Sequence, residues 1–195
     1  MIFPDYEKTG VVYHVIHITD LKKTLQNGIK YDDKFTYKAN YDGFHELIDK
    51  YRPLEIPNFV IRNKSIFASM NFPKKHAFHS HSAILAIKIS NDQCWIANEN
   101  YANQIYEPFE LQNIEEFSKC KKYLDTKGIE LLEKYWHTSL SFNENLKKRK
   151  DQEKGYDAEI LITHTIPPED IEVLFIISDH RMLSVKEWKK TFLVK

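Results

Sequence analysis

The first long hydrophobic segment covers residues 11–18, where valines and isoleucines are interrupted by one tyrosine and two histidines. This β-branched composition predicts a strand. Thr19 or Asp20, directly after it, can cap a short helix, and Gly28 is suited to end that helix. The N-terminal part of the chain is therefore predicted to fold as a strand, a cap, a short helix and a glycine stop.

A second hydrophobic segment, nearer the C-terminus, carries one acidic residue. Residues 157–163 are short and rich in isoleucine, which favours a strand over a helix, and two prolines then predict a turn. Glu159 lies among these apolar neighbours, where burial of a carboxylate is costly unless it has partners. The spacing alone leaves two interpretations open: a functional acid, or a strand-edge acid whose carboxylate lies in water.

The residues between these segments give both helical and strand patterns. Apolar residues at helical spacing predict a helix from Asp42 to Tyr51, preceded by a polar loop at residues 30–41. Strands at both ends with helices between them indicate an α+β fold, in a single domain over residues 1–195. The other predictions are strand pieces at 59–62 and 65–69, strands at 83–89, 94–97 and 171–177, helices at 114–124, at 129–136 and from 141, and a terminal segment at 185–192.

Composition sets only broad limits on function. Lys plus Arg equals Asp plus Glu at 28 each, so no global field draws the protein to nucleic acid or membrane. No apolar run approaches the ~18 residues of a membrane span, and the first residues lack the pattern of a secretory signal. The two cysteines are too few for a disulfide framework. We therefore expect a cytoplasmic protein with no membrane partner.

Several common site motifs are absent from the sequence. The five glycines are scattered, so dinucleotide-binding and phosphate-loop patterns fail, and there is no nucleophile elbow or zincin helix. His76, His79 and His81 fall within six residues, but their spacing matches no standard zinc finger, so a polar loop is favoured and no metal is expected. The basic residues 147–150 are interpreted as a solvated helix end, with a sequence-blind phosphate patch as the alternative.

The two histidines of the first strand are harder to explain as structure alone. His14 and His17 are three positions apart, so on a regular strand they point to opposite faces, and only a bulge would bring His17 to the same cleft as His14. Tyr13 and His14 precede the capped helix, while the distant strand offers Glu159. A neutral imidazole, an aromatic ring, a hydroxyl and a carboxylate in one cleft can bind ribose hydroxyls and stabilise a cationic sugar centre.

Three short motifs, taken in their order along the chain, resemble a known family. Residues 13–21, running on to Gly28, resemble the opening strand and short helix of ADP-ribosyltransferase-like domains, in particular those of the DarT group. Residues 67–69 resemble the strand that these domains place next, and residues 158–162 with 166–171 resemble their glutamate strand and following turn. The resemblance implies a split, mostly antiparallel β-sheet core with inserted helices and an NAD-binding cleft.

The resemblance also implies roles for individual residues. Glu159 matches the catalytic glutamate, which bonds the nicotinamide ribose and stabilises the oxocarbenium-like transition state as nicotinamide leaves. His14 matches the histidine that holds the ribose of NAD, and Ser69 lies near a hydroxyl-bearing position of the second strand. Arg62 is the candidate, by order along the chain, for the cleft arginine of the DarT group. The predicted cofactor-binding residues are His14, His17, Thr19, Ser69 and Arg62.

The function implied by this resemblance is NAD-dependent transfer of ADP-ribose to a macromolecule, with DNA or RNA as the candidate acceptor. A toxin-like role, with an antitoxin as candidate partner, follows from the resemblance as well. Two alternatives stay open. One is removal of an RNA 2′-phosphate with NAD on the same fold, which needs a basic phosphate pocket that Lys74, Lys75 and Arg62 supply only in part. The other is a binding module that lacks catalytic activity.

Overall fold

A computed structural model describes residues 1–30 and 35–193, and their side chains except those of residues 35–42. Within these residues the protein has an α+β fold, as the sequence predicts. The chain divides into two units that interleave along the sequence. Unit 1 contains Met1–Lys30, Phe67–Ser90 and His164–Lys195, and unit 2 contains Tyr31–Ile66 and Asn91–Thr163. The assignment of residues 1–195 to a single domain stays a prediction.

The described residues form eight strands and eight α-helices. The strands are β1 (Val12–His17), β2 (Ile66–Ser69), β3 (Ser82–Ile87), β4 (Cys94–Asn98), β5 (Leu140–Ser141), β6 (Ala158–Ile162), β7 (Ile171–Ser178) and β8 (Arg181–Ser184). The helices are α1 (Tyr6–Thr9), α2 (Leu21–Asn27), α3 (Phe35–Lys50), α4 (Glu99–Leu111), α5 (Lys119–Tyr123), α6 (Ile129–His137), α7 (Phe142–Lys148) and α8 (Val185–Phe192).

Unit 1 is built on an antiparallel sheet with the strand order β2-β1-β3-β7-β8. β1 pairs with β3 along its whole length, from Val12 opposite Ile87 to His17 opposite Ser82. All six residues of β3 are buried, which makes it the centre of this sheet. The strand predicted from the β-branched residues 11–18 is confirmed, and it is paired on both sides.

Unit 2 combines the antiparallel strands β5-β4-β6 with helices α3 to α7. Its largest buried side chains include two aromatic neighbours on α6, Tyr135 and Trp136, whose rings meet edge to face. The indole N–H of Trp136 donates to the carbonyl of Ile48 at 2.7 Å, which fixes α6 to the end of α3. The helix predicted at residues 129–136 and the strand predicted at 157–163 are both confirmed.

Helix α3 is longer than its sequence pattern indicates. The polar loop predicted at residues 30–41 is wrong from Phe35 onward, where the helix already begins. No glycine or proline stands between Phe35 and Asp42, so nothing in that segment stops helical propagation. Residues 31–34 of the predicted loop lie outside the described part of the chain.

Four elements have no counterpart in the sequence predictions, namely the short elements α1 and β5 and the elements α4 and β8. Helix α4 carries Pro108 in its interior, a residue that normally argues against a helix. Strand β8 is four residues long and follows β7 through Asp179 and His180, both with left-handed φ angles (47° and 58°). Such a turn usually contains glycine, which is why the hairpin carries no recognisable sequence signal.

Two further local predictions are wrong. Residues 59–62 do not form a strand, because the N–H of Val60 bonds back to the carbonyl of Pro57 in a turn, and Arg62 then opens a 3-10 turn. Residues 114–124 form a 3-10 turn, Glu115–Phe117, followed by α5, in place of one helix. A π-helical turn at Leu124–Gly128 then joins α5 to α6.

Gly28 allows the close approach of two distant segments in unit 1. Ile29 and Ile166 exchange two backbone hydrogen bonds of 2.9 Å as an isolated β-bridge. Gly28 has a left-handed φ of 76°, and a Cβ atom added there would overlap the carbonyl oxygen of Ile166. The glycine is therefore required by backbone angle and by space together.

We expect Gly28→Ala to lower the free energy of unfolding by about 2–4 kcal/mol, because it adds a backbone clash to the strain of a left-handed alanine. The control is Gly10→Ala, since Gly10 has a similar φ of 67° with a ψ of 16°, in the αL region, and nothing lies within 4 Å of an added Cβ. In urea denaturation Gly28→Ala should lose more than Gly10→Ala, through the clash and through its ψ of −169° together, and equal losses would contradict the clash.

Candidate functional site

The carboxylate of Glu159 is a buried charged group of unit 2. It lies on β6 opposite Ala97 of β4, and the residue is only 4% exposed. The Tyr135 hydroxyl donates to Oε1 at 2.7 Å, and Nη2 of Arg62 donates to Oε2 at 2.9 Å and to Oε1 at 3.2 Å. The interpretation of Glu159 as an edge acid with its carboxylate in water is therefore wrong.

Arg62 is the cationic partner, and it is held from several sides. Its Nε donates to the Tyr135 hydroxyl at 3.1 Å, and Nη1 donates to Nδ1 of His45. Its guanidinium carbon lies 5.8 Å from the ring centre of Phe44 and 5.7 Å from that of Tyr135. We call Glu159, Arg62, Tyr135 and His45 the buried polar cluster.

The position of Arg62 depends on Asp49, near the end of α3. The two carboxylate oxygens of Asp49 accept the backbone N–H groups of Arg62 and Asn63 at 2.8 and 2.9 Å. The pKa of Asp49 is raised above its ordinary value, because the effect of burial exceeds the opposing effects of these two hydrogen bonds and of the nearby Arg62 and Arg52. The carboxylate thus fixes the 3-10 turn that carries Arg62 into the interior.

The protonation states within the buried polar cluster follow from its contacts. Burial raises the pKa of the Tyr135 phenol well above its ordinary value, and the adjacent Glu159 anion raises it further, so the hydroxyl stays protonated and donates. Because a guanidinium can only donate, Nδ1 of His45 must accept, which requires an unprotonated Nδ1. The cluster therefore holds one anion, one cation and two neutral rings.

Glu99 adds a second carboxyl group near Glu159. It is the first residue of α4, and its backbone N–H donates to the carbonyl of Asp157 at 2.8 Å. Burial raises the pKa of Glu99 to about 7, with the anions Glu159 and Asp157 adding to the effect and Arg62 opposing it. Glu99 therefore exchanges its proton near neutral pH.

The predicted residues of unit 1 lie on or beside β1 and β2. His14 is half-buried, and its Nδ1–H donates to the carbonyl of Phe67 at 2.6 Å. In the neutral ring this hydrogen bond leaves the acceptor lone pair on Nε2. Ser69 is on β2, opposite Tyr13 in the register of β1.

His17 and Thr19 contact each other. The backbone N–H of Thr19 donates to Nδ1 of His17 at 3.4 Å, and the Thr19 hydroxyl donates to the same atom at 2.8 Å. His17 thereby caps the 3-10 turn Ile18–Asp20. This is a local structural contact, and both residues are exposed.

The structure joins some of the predicted site residues and leaves others in separate groups. Arg62 and Glu159, chosen from distant parts of the sequence, form one ion pair in unit 2. His14 and Ser69 lie on adjacent strands of unit 1. The sequence predictions missed the roles of the other polar residues around the ion pair, namely Tyr135, His45, Asp49 and Glu99. The helical spacing of Tyr135 marked it only as an apolar core position.

In the residues described here, no set of three or more His, Cys, Asp and Glu side chains is placed to hold a metal ion. None of the helices in that part of the chain has the length and apolar character to cross a membrane. Comparison with known proteins found no family model, no curated protein and no solved structure that matches this chain. The site must therefore be interpreted from its own geometry.

We expect Arg62→Met to lower the free energy of unfolding by about 3–5 kcal/mol, because it leaves the Glu159 carboxylate buried without a counter-ion. Adding Glu159→Gln to this variant should recover part of the loss, since the uncompensated charge is then removed. The control is Lys127→Met, which breaks the exposed Lys127–Glu130 pair (48% and 60% side-chain exposure) and should have no measurable effect. Urea denaturation measures these three variants and Glu159→Gln alone, and losses of the two single variants that add in the double variant would contradict a buried ion pair.

We expect Glu99 to make the protein less stable as the pH rises through neutrality. Its folded pKa of about 7 is above its ordinary value of 4.5, so its contribution is complete below pH 4.5 and is lost as the pH rises through 7. Across this window the free energy of unfolding of the parent should fall by roughly 2–3 kcal/mol because of Glu99, and Glu99→Gln should not show this fall. The control is Glu107→Gln on the exposed face of the same helix. The free energy of unfolding is measured by urea denaturation from pH 4 to 8. If it falls with pH as steeply in Glu99→Gln as in the parent, Glu99 does not bind this proton.

Proposed function

We propose that this protein transfers ADP-ribose from NAD to a macromolecular acceptor, with release of nicotinamide. The observation that supports it best is the carboxylate of Glu159, which Arg62 and Tyr135 hold in a fixed orientation inside unit 2. DNA or RNA is the proposed acceptor. Action as a cytoplasmic toxin with an antitoxin partner belongs to the same proposal and rests on the family resemblance alone.

The chemistry requires a fixed negative charge. When the bond between C1′ of the ribose and the nicotinamide nitrogen breaks, its electron pair goes to the nicotinamide ring and positive charge develops on the sugar. A nucleophile on the acceptor then bonds to C1′ and releases its proton to water. Glu159 is proposed to stabilise the developing cation, and Arg62 and Tyr135 orient the carboxylate before the reaction begins.

The hydrogen-bond pattern of Glu159 is compatible with this role. Each carboxylate oxygen can accept about two hydrogen bonds. Oε1 accepts from Tyr135 and Arg62, whereas Oε2 accepts one bond, from Nη2 of Arg62. Oε2 therefore retains acceptor capacity for a ribose hydroxyl.

His14 is proposed to hold the ribose of NAD, with Ser69 beside it. The bond from His14 Nδ1–H to the Phe67 carbonyl orients the ring and leaves Nε2 as the acceptor in the neutral form. We assign His17 and Thr19 a weaker role, because their side chains already bond to each other at the start of the 3-10 turn.

We expect Glu159→Gln to reduce the rate of nicotinamide release from NAD by 10²- to 10³-fold, as for loss of one electrostatic contact specific to the transition state. The rate is measured with and without added DNA or RNA, and per folded protein, since the variant also disturbs the ion pair with Arg62. The control is Glu172→Gln, an exposed carboxylate on β7.

Equal rates for Glu159→Gln and the parent would rule out the catalytic role of Glu159. His14→Ala tests the role of His14 by itself. It should weaken the binding of NAD, and an unchanged affinity for NAD would contradict a contact between His14 and the ribose.

One observation favours a second candidate, a binding module without catalysis. The Glu159 side chain is 5% exposed and that of Arg62 is 6% exposed, which is also the pattern of a structural ion pair. A module would release no nicotinamide with any acceptor and would show no thermal shift with NAD. The RNA 2′-phosphate alternative is less favoured, because Arg62, one of the three cations named for its phosphate pocket, already bonds to Glu159.

A further inference from the structure

Unit 1 contains a cavity that the proposed transferase site does not use. Its volume is about 440 Å³, within the size range of small-molecule sites. It lies between the loop that follows β2 and the hairpin of β7 and β8, with Ile2 of the N-terminal segment beside them. Ile2, Ile177 and Met182 supply its aliphatic wall.

One side of the cavity is aromatic. The rings of His76 and Phe78 line it, and their centroids are 4.5 Å apart. Phe72 lies behind them, at 4.7 Å from His76 and 4.9 Å from Phe78. Three rings in mutual contact give a fixed surface on which a flat ligand ring can stack.

The same cavity also presents cationic and imidazole groups. Lys74 comes from the loop, and His180 comes from the turn of the hairpin, where both side chains are exposed. An ammonium group and an imidazole that face one hollow favour an anion with several acceptor oxygens, such as a phosphate.

The backbone around the cavity is held in place by hydrogen bonds. The N–H of His81 donates to the carbonyl of Ile177 at 3.0 Å, and the N–H of His180 donates to the hydroxyl of Ser80 at 2.8 Å. His81 and His180 both have left-handed φ angles, of 64° and 58°. The loop and the hairpin are thus tied to each other, and the cavity is formed before any ligand binds.

We propose that this cavity binds a nucleoside phosphate, with the base against His76 and Phe78 and the phosphate at Lys74 and His180. The ligand has two sources, a free mononucleotide or one nucleotide of a single-stranded nucleic acid, which share this chemistry. The site goes beyond ADP-ribose transfer and does not depend on it.

The test is titration of the full chain with guanosine 5′-monophosphate. Binding is measured by calorimetry and by the NMR signals of the histidine rings. Binding should shift the signals of His76 and His180, whereas those of His137, an exposed residue of unit 2, should not move. Adenine nucleotides are avoided because they resemble part of NAD.

Three variants assign the contacts. Lys74→Ala should weaken binding roughly fivefold through the lost phosphate contact, and Phe78→Leu roughly tenfold through the lost stacking. His180→Asn should also weaken it, and asparagine tolerates the left-handed backbone at that position. The matched controls are Lys75→Ala and His79→Asn, which change exposed neighbours outside the lining and should leave affinity unchanged.

Further ligands distinguish the base contacts from the phosphate contacts, and the free nucleotide from the nucleic acid. Guanosine and inorganic phosphate should each bind more weakly than the nucleotide, because each makes only half of the contacts. A single-stranded oligonucleotide that binds much more tightly than the mononucleotide identifies nucleic acid as the source, and equal affinity identifies the free nucleotide.

Absence of binding at millimolar nucleotide would overturn the proposal. So would an equal loss of affinity with Lys74→Ala and Lys75→Ala, which indicates diffuse charge and no defined site. Glu159→Gln should leave nucleotide binding unchanged, so that failure of this site and failure of the transferase proposal are distinguishable.

Discussion

The burial of one carboxylate constrains much of unit 2. Removing the Glu159 charge from water costs several kcal/mol unless an opposite charge and hydrogen bonds accompany it. Arg62 supplies the charge, and it reaches the interior because Asp49 holds the 3-10 turn on which it stands. Tyr135 supplies the remaining hydrogen bond from α6. A strand, a helix end, a turn and a second helix are thus fixed with respect to one another by the contacts of two acidic residues, Glu159 and Asp49.

The parts of the fold that could be predicted are those with strong local signals. The β-branched residues of β1 and the isoleucines of β6 specify strands in almost any context, and both were located correctly. Helix α4 could not be predicted, because Pro108 argues against it and tertiary packing overrides that preference. The hairpin before β8 was missed because its turn uses Asp179 and His180 in conformations that usually indicate glycine.

The candidate site shows the same limit at the level of single residues. Glu159 could be selected because a carboxylate in an isoleucine-rich strand is anomalous, and Arg62 was selected by its order along the chain. Tyr135 and His45 could not be selected from the sequence, because residues at helical spacing are indistinguishable from ordinary core positions. Only the tertiary fold brings them to the ion pair, across separations of 24 residues for Tyr135 to Glu159 and 17 for His45 to Arg62.

The enclosure of Glu159 bears on catalysis as well as on stability. An anion in a medium of low polarity acts more strongly on a nearby developing cation than the same anion in water. The Arg62 charge opposes that action, so the net field at a ribose depends on which carboxylate oxygen faces the ligand. Oε1 is already shared by two donors, whereas Oε2 bonds only to Nη2 among the described contacts. A catalytic role therefore requires the sugar to approach from the Oε2 side, and a purely structural pair has no such requirement.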